Sequence, residues 1–262
     1  MSPQVSRLRR LAQRFQTRRG WNNPLAEDRN GRTLLRPSPG ARLHLGCGDV
    51  YLPGFLNVDY PPERGVASGT SRPDLEADIL SLDAPEDALA EVRLHHVFEH
   101  FERPVALALL VRWFEWLEPG GVLTVETPDF ERCVEGFADR RLEEQSLILR
   151  HLFGSQEAPW ARHLDGWSAR RFREVLPRLG FARIGTHSTA SDERGLLVNV
   201  VARAEKPSPV PNRDTRAAAA VAVLRQSMNG ENPTEERLAA RWVEMFERTL
   251  AGVAAERQGG AS

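Results

Sequence analysis

The residues best suited to chemistry open the central part of the chain. Gly46-Cys47-Gly48 follow the apolar run Leu43-His44-Leu45. Glycine lacks a Cβ and tolerates positive φ, so a strand ending in such a turn lets a ligand approach the backbone closely. Asp59 closes Phe55-Leu56-Asn57-Val58-Asp59, thirteen residues after Gly46. A carboxylate at the tip of the neighbouring strand can accept two hydrogen bonds from a ribose diol. Asp78, in Ala77-Asp78-Ile79, is expected to end a third strand. There it can accept from an adenine amino group while Ile79 covers the ring face. The glycines and the first acid have plainer readings: a tight turn for the glycines, a helix cap or turn acid for Asp59. It is their order along the chain that points to a nucleoside site.

These residues must be held by regular elements. RLHLGCG, FLNVDY, ADIL, VRLHHVFEHF and VLTVE read as five successive strands or strand ends. Residues 104–117 have helical length, an apolar face and Pro104 in a first-turn position, and EPGG stops that helix. Residues 129–150 read as mostly helical. Residues 168–178 form another helix, with Ser168 as its N-cap and Gly180 at its close. Alternating strands and helices imply an α/β fold with a parallel sheet and right-handed crossovers. FARIGTHS and GLLVNVVARA, joined by SDERG, predict an antiparallel hairpin at one sheet edge. Ligands on such sheets bind outside the carboxyl ends of the strands.

The organisation expected is a basic arm and lead-in at 1–40, a nucleoside-binding domain at 41–206, and a linker with a helical extension at 207–262. Residues 6–19 hold six Arg and no acid, with Leu8, Leu11 and Phe15 at helical spacing. A basic amphipathic helix there would suit a membrane surface, a lipid-linked substrate or a partner. The last helix opens with Asn232-Pro233-Thr234-Glu235 and carries an apolar stripe of Leu238, Trp242, Met245, Phe246, Leu250 and Val253. The stripe leaves two partners open: its own domain, or a second subunit in a homo-oligomer.

Composition narrows the classes. The 262 residues carry a net charge of −1. Residues 1–40 hold nine Arg against two acids, whereas residues 41–206 hold 19 basic and 27 acidic residues. The central domain therefore has no excess of positive charge for a phosphate backbone, and no nucleic-acid partner is expected. Neither a secretory signal nor an apolar run of membrane-spanning length is evident, so the expected location is the cytoplasm. The two cysteines, Cys47 and Cys133, are expected to be free thiols, and no metal-ligand set is read from their spacing.

Taken together, LHLGCG…LPGFLNVD…ADIL…HVFEHF…LEPGGVLTVETPDF resembles the class I S-adenosylmethionine (SAM)-dependent methyltransferases, over residues 41–203. It is most similar to the compact bacterial group opening L-x-L-G-C-G…L-P-G-[FW]-x-N-V-D. The resemblance implies a Rossmann-like methyltransferase fold. It implies SAM as cofactor, S-adenosylhomocysteine as product, and a small-molecule acceptor. It places Gly46, Cys47 and Gly48 against the methionine part of SAM, Asp59 on the ribose, and Asp78 and Ile79 at the adenine. His96 would lie between the methionine moiety and the substrate opening, and Leu117-Glu118-Pro119-Gly120-Gly121 would lead into the fifth strand. The chain departs from the pattern in two ways. Many relatives carry an acid two residues before the first glycine, where this chain has His44. The third glycine of a longer loop is missing, although Gly54 serves a related turn.

Methyl transfer is an in-line attack on a sulfonium methyl. The cofactor brings the activation, and the protein supplies position and, for a hydroxyl, a base. The candidate bases are His100 and His163, with Asp165 placed to orient His163; Asp129 is a weaker third. The leading expectation is methylation of oxygen or nitrogen on a sugar, glycan or specialised metabolite. The alternatives are a catalytically inactive binding or partner subunit of the same fold, and a nucleic-acid methyltransferase gripping through the Arg-rich arm.

Overall fold

A computed structural model describes residues 25–27, 32–60, 73–230 and 232–252. The expected basic helix at 6–19 lies outside them. The strands are β1 (Leu25–Glu27), β2 (Thr33–Leu35), β3 (Ala41–Leu45), β4 (Leu56–Asp59), β5 (Leu75–Glu76), β6 (Leu82–Asp83), β7 (Leu89–His95), β8 (Leu117–Pro128), β9 (Ala182–Ala190) and β10 (Val198–Glu205). The helices are α1 (Arg103–Trp116), α2 (Phe130–Val134), α3 (Leu142–Phe153), α4 (Ala169–Arg178), α5 (Arg213–Arg225) and α6 (Pro233–Leu250).

Seven strands form the main sheet in the order β5-β4-β3-β7-β8-β10-β9. The first five in that order run parallel. β10 lies antiparallel between β8 and β9, so the late hairpin does form one edge. The fold is Rossmann-like α/β. The chain builds outward from β3 to β5, then returns to the other side of β3 to lay down β7. That reversal makes the carboxyl ends of β3 and β7 a topological switch point, where open α/β sheets hold ligands. A small second sheet, β1-β2-β6, flanks the main one.

α1 explains the size of the core. Every residue from Pro104 to Trp116 is buried. A helix with no polar face must be covered all round, and α1 packs on β8 from one side and on α5 and α6 from the other. Ala239 and Phe246 of α6 are buried, with Trp242, Met245 and Leu250 packed on the core. Most of the C-terminal stripe therefore packs within the chain, while Leu238 is exposed and Val253 lies outside the described residues. Two charged residues on α1 clamp this arrangement. Arg112 donates to Leu80 O, Leu82 O and Thr249 O, and burial lowers its pKa to about 10. Glu115 meets Arg216 at 3.1 Å and Arg213 at 3.2 Å.

Several boundaries differ from expectation. The third strand ends at Glu76, and Asp78 instead caps the 3-10 turn Ile79–Ser81. β7 starts at Leu89, ahead of the expected Val92. β8 begins at Leu117, directly after α1, and takes in the EPGG segment because Gly120 N–H donates to Lys206 O and Lys206 N–H to Gly121 O. Residues 129–150 divide into α2, a 3-10 turn and α3, parted at Gly136 with φ +68°. Both cysteines are buried, and neither is in a disulfide. Among the described residues, no helix is long and apolar enough to cross a membrane.

Candidate active site

The apolar run of β3 ends at Gly46, whose φ of +63° favours glycine. A Cβ there would sit 2.2 Å from Val97 Cγ2. The close approach at Gly46 is thus made first by the loop after β7, which locks the two strand ends together at the switch point. Gly48 has φ +47°, and its N–H donates to Asp59 Oδ2 at 2.6 Å. The Cys47 thiol lies 3.8 Å from the same oxygen. Asp59 Oδ1 accepts from Tyr60 N–H at 2.7 Å, and Asp59 is 7% exposed. The glycine turn and the carboxylate expected for the ribose are therefore in direct contact. These bonds orient the Asp59 carboxylate at the strand tip.

A buried network beneath this turn was missed in the sequence. Asn57 Nδ2 donates to Leu52 O, Phe55 O and Asp74 Oδ2, and Asn57 Oδ1 accepts from Leu52 N–H. His44 Nδ1 lies 3.0 Å from Asn57 Oδ1. His44 is fully buried and its pKa is lowered, chiefly by desolvation, so a neutral ring donating to Asn57 fits. At this position, where many relatives of the resembled group carry an acid, His44 holds the β3–β4 connection from inside. The available signal was an Asn within an otherwise apolar strand. Asp78 Oδ1 accepts from Leu80 N–H and Tyr60 O–H, while Ile79 is buried in the main core.

On the other side of Val97 lies a cluster of histidines around one acid. His96, exposed with φ +51°, sets Nδ1 3.1 Å from Glu99 Oε1 and Nε2 2.9 Å from Asn199 Nδ2. Burial disfavours its charged form, but the bond to Glu99 and the charges of Glu99 and Glu126 outweigh this and raise its pKa. Glu99 is 1% exposed. Burial would raise its pKa, yet the His96 hydrogen bond and the nearby His96, His100 and His163 lower it. His100 Nδ1 lies 3.0 Å from Arg162 O, and the His100 and His163 ring centroids are 4.7 Å apart. Desolvation lowers the pKa of His163.

The loop carrying His163 is pinned to the turn carrying Glu99 and His100. Leu164 N–H donates to Glu99 O at 2.7 Å, Phe98 packs tilted on Trp167 at a centroid spacing of 4.9 Å, and Trp167 stacks on Phe172 at 4.7 Å. Two expectations are corrected here. Asp165 does not orient His163; it pairs with Arg103 at 2.9 Å and Arg171 at 2.7 Å. Burial opposes its ionisation, but those two guanidiniums hold its pKa below the usual range. Asp129, the third candidate base, caps α2 through Arg132 N–H and accepts from Ser188 Oγ. The acid beside His163 is Glu99.

No family model matches the chain. No curated protein matches it either. Comparison with solved structures returns low-identity likenesses. One is to a possible exported protein from Bordetella parapertussis, 18% identical over 78% of this chain and 68% of that one, with a TM-score of 0.42. Another is to the S-adenosylmethionine-dependent methyltransferase SibL, 21% identical over 64% of this chain and 51% of that one, TM-score 0.42. A third is to an S-adenosylmethionine-dependent methyltransferase from Mesorhizobium loti, 15% identical over 64% and 91%, TM-score 0.42. The chain thus spans about half the length of SibL.

Proposed function

We propose that this chain is a SAM-dependent methyltransferase acting on oxygen or nitrogen of a small-molecule acceptor. The observation that carries the reading is the contact between the glycine turn and Asp59, with Gly48 N–H on Asp59 Oδ2 at 2.6 Å, at the switch point of the sheet. In this reading Gly46, Cys47 and Gly48 bear on the methionine part of SAM, Asp59 holds the ribose hydroxyls, and Asp78 with Ile79 borders the adenine. The sulfonium supplies the reactive methyl when bound. The chain's own part is to orient the nucleoside and bring the acceptor to it.

His96, bonded to Glu99 and Asn199, marks the passage from cofactor to acceptor. His100 and His163 are the acceptor-side groups for a hydroxyl. Phe153 and Leu164, 47% and 52% exposed, lie beside His163: its N–H donates to Phe153 O, and Leu164 follows it in the chain. Apolar surface at that place suits a metabolite or lipid-linked glycan better than a polyanion.

The test is calorimetry with SAM on wild type and on Asp59→Asn, which keeps the side chain's shape. Losing a charged acceptor for buried hydroxyls is worth on the order of 1.5–3 kcal/mol, so affinity should fall roughly 10- to 150-fold. Wild-type affinity in the variant, or no SAM binding by the native chain, would refute the assignment.

A further inference from the structure

We propose that Glu99, His100 and His163 form a binding site for one divalent ion of the zinc class, a site the cysteine spacing gave no hint of. One ligand atom from each lies within 4.8 Å of the other two. Ligand atoms around a tetrahedral zinc at about 2.0–2.1 Å are roughly 3.3 Å apart. Binding therefore draws the set inward by rotation of the two partly exposed imidazoles.

Glu99 and His100 are already held as metal ligands are. In a metal site the far side of each ligand is fixed by a second hydrogen bond, which sets the tautomer and aims the near side. Both residues show this division. Glu99 Oε1 is bonded to His96, whereas its buried Oε2 has no hydrogen-bond partner among the described residues. His100 Nδ1 donates to Arg162 O, leaving the lone pair on Nε2. His163 adds a buried ring Nδ1 that has no hydrogen-bond partner among the described residues. An unpartnered carboxylate oxygen in a 1%-exposed side chain is costly, and an ion would satisfy it together with the Nδ1 of His163.

The donor set names the ion's class. Two imidazoles and one carboxylate suit zinc and its borderline neighbours. Calcium and magnesium prefer all-oxygen sites, and the set contains no thiolate. Three protein ligands leave a fourth position open to water or an acceptor oxygen. The ion site stands on this geometry alone; its use in acidifying an acceptor hydroxyl rests on the methyl-transfer reading, and would replace general-base action by either histidine.

The experiment uses the full chain stripped with a chelator, then titrated with Zn²⁺ by calorimetry and with Co²⁺ by visible absorption. Saturable binding of one ion per chain is expected, with tetrahedral-type Co²⁺ bands and a Zn²⁺-dependent rise in melting temperature. His100→Ala and His163→Ala should each weaken binding by on the order of tenfold or more, while the exposed His187→Ala leaves it unchanged. Absence of saturable binding, or loss of affinity in His187→Ala to the same degree, overturns the site. SAM affinity is measured on the same stripped chain. SAM binding without ion binding removes only the metal site, and ion binding without SAM removes only the methyl-transfer reading.

Discussion

Both polar atoms of the Asn57 side chain are engaged, and His44 is the partner whose ionisation matters. Protonating His44 would put a charge into a site with no exposure, against an Asn57 oxygen already shared with Leu52 N–H. Because desolvation lowers the His44 pKa from 6.5, the folded chain binds fewer protons there than the unfolded chain. The stability this residue contributes is present above about pH 6.5 and is lost as pH falls through its folded value. Urea midpoints should therefore drop on acidification from about pH 7.5 to 5.5. His44→Gln should start lower and drop less; an equal or steeper decline in the variant would count against this role. At this scale the sequence was legible where a residue type has one dominant use, as with the glycines and Asp59. It was illegible where the partner decides. Asp165 looked like an orienting acid because it sits two residues from His163, but Arg103 and Arg171 reach it from two helices and make charge-assisted bonds.

Among the elements, the loop between β7 and α1 is the joint of the molecule. It sets Val97 against Gly46 on one side and Glu99 and His100 against the 159–167 loop on the other. Gly46→Ala combines a φ of +63° with a Cβ 2.2 Å from Val97 Cγ2. The left-handed backbone alone costs a non-glycine residue about 1–2 kcal/mol, and the overlap adds to it. The variant should lose stability in urea and bind SAM more weakly. Adding Val97→Ala should recover the steric part of the loss and leave the backbone part, a non-additivity that a double-mutant cycle reads directly. No recovery would mean that Val97 is not the obstacle. Strand positions were readable because apolar runs and glycines punctuate the chain locally. The Val97–Gly46 approach and the Glu99–His100–His163 grouping were not, since each joins residues more than fifty positions apart.

Across the whole molecule, the enclosure of α1 makes the C-terminal helices part of the body. Arg112 reaching Thr249 O and Glu115 reaching Arg216 tie them to it with buried polar links that are costly to leave unpaired, and the half-exposed Arg213 adds a second contact to Glu115. A chain ended at residue 206 should bare an apolar helix face and aggregate, as size-exclusion chromatography would record; a monodisperse, folded product would show the extension to be dispensable. This dependence was readable in part. PVALALLVRWFEWL has too few polar residues for a surface helix, and the stripe on the last helix needed a partner, but only the coordinates join the two.

The main sheet's outer strands carry one more consequence. β5 is two residues long, and β9 is largely exposed, with Arg183 at φ +49° near the register shift between Arg203 and Glu205. A brief rim on one side and a rim with a register irregularity beside Arg183 on the other are ways in which natural sheets discourage a foreign strand from docking by main-chain hydrogen bonds. Copies of this chain that meet at high concentration should therefore resist growing into a continuous ribbon, and any association would have to run through side-chain surfaces.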